Sequence, residues 1–140
     1  MEANNATAAA GASAMFEESY RDAKAFHRRA LRFADVGWDV ELVFNVAAIA
    51  LERYLVALCC RHGMEPESHS FVCLMNAIDK CMDIPHELSR SIRSLDRIFG
   101  ICSIDSYRHE KTGADDASRA LRLCSDVSSM INQLPQCPPK

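Results

Sequence analysis

The segment from Trp38 to Arg61 constrains this chain more than any other. Trp38, Leu42, Val43, Phe44, Val46, Ala47, Ile49, Ala50, Leu51, Tyr54, Leu55, Val56, Leu58 and Cys59 leave a helix built from it with almost no polar side. A surface helix carries an apolar stripe of about 100°, so a helix coated well beyond that must be buried on several sides by other elements. A bilayer is not the expected cover. The longest apolar stretch, Val43 to Leu51, is interrupted by Asn45 and closed by Glu52 and Arg53, well short of the ~20 residues that a span takes. With 140 residues, 49% hydrophobic and 25% charged, the chain suits one globular domain that wraps this segment in its own helices.

The rest of the sequence supplies those helices. Ser13 is a candidate N-cap for a first helix that runs to about Val36, in which Phe16, Tyr20, Ala23, Phe26 or His27, Ala30 or Leu31, and Ala34 recur at three- and four-residue steps. Glu18, Arg21, Asp22, Arg28, Arg29 and Arg32 take the opposite face, and Gly37 ends the pattern. Gly63 fits the position just past the end of the apolar helix, with Arg61 and His62 in its last turn. Ser68 is the expected cap of a third helix over about His69 to Met82, and Pro85 opens a fourth over about Pro85 to Gly100. A fifth begins near Ala114, Asp115 and Asp116 and stops before Pro135, with Ala117, Ala120, Leu121, Cys124, Val127, Ile131 and Leu134 inward. No segment reads as a strand and no internal repeat appears. Short links favour antiparallel neighbours, so the expected fold is an all-α, up-and-down bundle of four to five helices over residues 13–134, between tails at 1–12 and 135–140.

Charge and cysteines narrow the setting. Sixteen basic against 19 acidic residues, a net charge of −3, disfavour a globally basic nucleic-acid-binding surface. Seven cysteines, at 59, 60, 73, 81, 102, 124 and 137, form an odd set without a secretory signal, which implies reduced thiols and a cytoplasmic protein. Cys137 stands fourth from the end, but the prolines and lysine after it suit prenylation poorly. There is no glycine-rich phosphate loop, no Gly-x-Ser-x-Gly elbow and no His-Glu-x-x-His, and no cofactor is expected.

Several stretches together resemble one family. A long first helix, then Asn45 to Leu55 (NVAAIALERYL), then His69 to Leu74 (HSFVCL), Leu95 to Phe99 (LDRIF), the turn Tyr107-Arg108-His109, and a last helix with Ala117 and Ala120 are similar to HEPN (higher eukaryotes and prokaryotes nucleotide-binding) domains over roughly residues 15 to 134. The resemblance implies a helical bundle that commonly dimerises. It also implies a metal-independent ribonuclease in those members where an arginine and a histidine four to six residues apart stand near the start of the last major helix. There the histidine exchanges protons with the 2′-hydroxyl or the leaving oxygen, and the arginine stabilises charge on the phosphate. Here His109 follows Arg108 directly. The Arg21-x5-His27 match lies in the first helix, and twelve arginines with five histidines yield about one such match by chance. The expected function is therefore a non-catalytic HEPN-like module, a homodimer that binds a nucleotide, RNA or a protein such as a nucleotidyltransferase-type partner. The alternative is a toxin-like endoribonuclease that uses Arg108 and His109.

Glu52 and Asn45 stand a heptad apart on the apolar helix, and an acid there needs a partner. Arg108 is the expected one, in a structural ion pair. The sharper reading has Asn45, Glu52, Arg108 and His109 lining a polar cleft for a nucleotide or phosphate. Cys59, His62, His69 and Cys73 flank one loop at zinc-like spacings, but Cys59 is already explained by its apolar helix and no metal is expected. Arg90, Arg93 and Arg97 form a stripe that either tracks RNA phosphates or is ordinary solvated surface.

Overall fold

The computed structural model describes residues 2–99 and 112–135. Among them the chain is all-α: α1 (Glu2–Asp35), α2 (Val40–Arg61), α3 (Phe71–Asp79), α4 (His86–Ser94), the single turn α5 (Asp96–Phe99) and α6 (Ala114–Gln133), with no strand. α2 is the hub, against which α1, α3 and α6 all pack. By length and composition α2 would suffice to cross a membrane, at a mean hydropathy of 1.8, yet 78% of that stretch is buried inside the protein, as the centre of a bundle is.

Small side chains let the three long helices approach closely. Ala23 and Ala30 on α1, Ala47 and Ala50 on α2 and Ala120 on α6 are fully buried, and interaxial distance falls with the size of the side chains at the contact. The Cys124 thiol donates to the Ala47 carbonyl at 3.2 Å, which shows how near α6 comes to the α2 backbone. His27 meets Tyr54 and Arg61 lies over the Phe16 ring, so α1 and α2 are antiparallel. Ala47 pairs with Cys124 and Tyr54 with Ser128, so α6 runs in the same direction as α2 after the chain has crossed back through α3, α4 and α5.

The helix ends follow local chemistry, with four corrections. Gly37, at φ +78°, ends α1: its N–H donates to the Ala34 carbonyl and that of Trp38 to the Phe33 carbonyl, while the Trp38 and Phe33 rings pack at 5.6 Å. This is a Schellman closure with its usual apolar contact. Trp38 thus belongs to the end of α1, not to the apolar helix, which starts behind its cap Asp39. The same closure ends α2 at Gly63, φ +67°, as its position implies. α1 begins at Glu2 and not near Ser13, because its alanine-rich first turns have high helix propensity without an apolar stripe to announce them.

The third correction concerns α3, which is capped by Ser70 and not Ser68 and so starts at Phe71: the Ser70 hydroxyl accepts from the Cys73 N–H at 3.1 Å. The fourth helix is split at Leu95, where Asp96 turns its carboxylate to the N-terminus of α3 and accepts from the N–H groups of Phe71 (2.9 Å) and Val72 (3.0 Å). An anion there satisfies free donors and suits the helix dipole. α6 starts at Ala114 as the acids imply, with the Gly113 N–H donating to the Asp116 carboxylate.

Candidate functional site

Glu52 is a buried acid within α2, and its partner is His69: Nδ1 lies 3.1 Å from Oε1, with the His69 side chain half exposed. The loop after Gly63 folds back along α2 and lays His69 over the carboxylate, which answers the desolvation that an apolar helix imposes on it. The pairing expected with Arg108 falls on a residue outside the described ones, as does His109. Asn45 does not join Glu52. It is exposed, two turns nearer the α1–α2 link.

Beside this pair is a half-open groove of about 440 Å³ between α1, α2 and the same loop. Met15, Val56 and Met64 supply apolar lining, while Glu18, Asp22 and Glu65 outnumber Arg53 among the charged groups. Such a lining repels a phosphate ester.

The other candidate groups are engaged elsewhere. Arg93 donates to Asp79 (2.6 Å), Asn76 (2.8 Å) and Ser89 (3.1 Å), which pins α4 to α3, and Arg90 contacts His86. The arginine stripe is therefore partly consumed by its own fold. Among the described residues no three His, Cys, Asp or Glu side chains are grouped to share a metal ion. Cys59, Cys60, Cys73, Cys81 and Cys124 are free thiols. Burial pushes the Cys59 thiol up to about 11, away from the thiolate that a metal requires. The Ser68 and Ser70 hydroxyls pull the Cys73 thiol down.

His27 and Tyr54 form a second polar pair, which no sequence motif marks. His27 Nδ1 lies 2.9 Å from the Tyr54 hydroxyl, and burial holds the Tyr54 pKa up at about 12 and the His27 pKa below its ordinary value. Tyr20 donates to the Asn132 side chain nearby, tying α1 to α6. Arg21 is exposed and stands apart from this pair, so the Arg21-x5-His27 match is not one site.

The remaining surface feature is the tip where α1 turns into α2. Leu31 (46%), Val36 (65%), Trp38 (56%) and Val40 (38%) are all exposed there. Arg28, Arg29 and Arg32 flank the tip on α1, and Asp35, Asp39 and Glu41 surround the turn itself, all of them exposed. A scan against family models and searches of curated proteins and of solved structures found no match to this chain.

Proposed function

We propose that this protein is a non-catalytic, HEPN-like helical module that acts by binding protein, and that its first partner is a second copy of itself, docked through the α1–α2 tip. The exposed tip carries the reading. Large apolar side chains gathered at one end of a bundle mark a contact surface more often than a scatter of single ones does. An aromatic anchor such as Trp38 is the kind of residue that dominates binding energy. The charges favour self-pairing. With two tips overlapped head to head about a twofold axis, the acidic turn of each copy faces the arginines one turn back on the other, as an isologous contact requires.

A nucleotide is the weaker candidate, because Glu52 is already paired with His69 and the neighbouring groove is acidic. The expected homodimer therefore uses the tip and not the body of α2, which α1, α3 and α6 cover. Light scattering at micromolar concentration is expected to give twice the chain mass, falling to one chain in Trp38→Ser and Val36→Asp with unchanged helical circular dichroism. A monomeric parent, or a dimer indifferent to both substitutions, overturns the reading. Total RNA incubated with the protein is expected to stay intact; cleavage abolished by His109→Ala would replace this function with the ribonuclease.

A further inference from the structure

We propose that His27 is an acid-sensitive latch that seats α1 on the rest of the bundle. It stands one turn from each of the fully buried Ala23 and Ala30, on the face of α1 that meets α2. One nitrogen, Nδ1, is bonded to the Tyr54 hydroxyl, and the ring packs edge-on to Tyr54 at 5.7 Å. The other, Nε2, is buried and has no hydrogen-bond partner among the described residues. Around Tyr54 stand Tyr20 and Arg28 from α1 and Cys124 and Ser128 from α6. Arg28 is a cation, and none of the others is a carboxylate.

A neutral imidazole suits this seat. Tyr54 either donates to Nδ1 or accepts from it, and the unpaired nitrogen costs little beyond its own desolvation. A proton added to the ring makes both nitrogens donors, places a charge where burial disfavours it, and gives Nε2–H nothing to donate to. The imidazolium gains by swinging out to water, which breaks the Tyr54 bond and lifts the close alanine contact between α1 and α2. The His27 pKa lies below the 6.5 of an unfolded chain, with desolvation as the cause. The latch is therefore fully closed above pH 6.5 and is lost progressively as the pH falls below it, since the released state binds the extra proton. The tip pairing proposed above is not needed for this.

The test follows the His27 ring proton by NMR in the full chain, with amide exchange read in α1 and in α3. His27 is expected to titrate below 6.5, and opening of α1, corrected for intrinsic exchange, to rise between pH 7.5 and 5.5, by at most about ten-fold. His27→Gln, which cannot take the proton, is expected to remove that rise. The wild-type ring titration needs no variant, and His27→Asn is a second neutral replacement should the glutamine fail to fold. A His27 midpoint at or above 6.5, or acid opening of α1 that is unchanged in the neutral variants, overturns the proposal.

Discussion

The three long helices and the α3–α5 crossover are held together by different means. α1, α2 and α6 meet through fully buried alanines and large side chains such as Leu51, Leu55 and Val127. The crossover is short, and its helices are tied by polar groups: Asp96 on the backbone of α3, Arg93 on Asp79 and Asn76, and Arg119 on Ser94. A helix of nine residues is marginal by itself, so specific contacts must supply what length does not. The long helices thus rely mainly on volume, while the crossover adds polar geometry to its own buried side chains such as Phe71, Leu74, Ile78 and Ile92.

That contrast orders the expected losses. Leu51→Ala, in a fully buried position at the centre of α2, is expected to cost about 3 kcal/mol in urea unfolding, because the surrounding helices cannot close the cavity. A cost below about 1 kcal/mol would mean that α2 is not enclosed on all sides. Asp96→Ala removes the acceptor of two N–H groups and is expected to cost about 1–2 kcal/mol, with faster amide exchange concentrated at Phe71 and Val72. Exchange raised equally in α1 would blur the division between the two regions. His69→Ala strips the buried Glu52 of its partner and is expected to cost about 1 kcal/mol, since water reaches the half-exposed histidine's place. Adding Glu52→Leu is expected to recover most of that, because the unpaired acid and not the lost pair carries the penalty.

The same contrast explains what the sequence discloses. Apolar coverage alone places α2 at the centre, and Gly63, Pro85 and the Ala114 acids mark ends that local chemistry sets. Trp38 misleads because an apolar residue just before an apolar helix looks like its first member, although the preceding glycine makes it the closing contact of α1. The role of Asp96 has no local signature, since the helix it caps begins 25 residues earlier in the chain. His69 likewise reaches Glu52 across 17 residues by way of a loop that no periodicity describes. Of the four residues expected to share a polar cleft, Glu52 is paired with His69, Asn45 is exposed elsewhere, and Arg108 and His109 lie outside the described residues. Polar partners brought together by tertiary folding are the part that patterning does not encode.

Trp38 is the only tryptophan in the chain, and so reports directly on the surface from which function is inferred. The most direct test is its fluorescence emission across a dilution series spanning the monomer and the dimer. A shift to shorter wavelength as the dimer forms, absent in Val36→Asp, is the predicted result, and a mass that doubles while Trp38 keeps the emission of a water-exposed indole would contradict it.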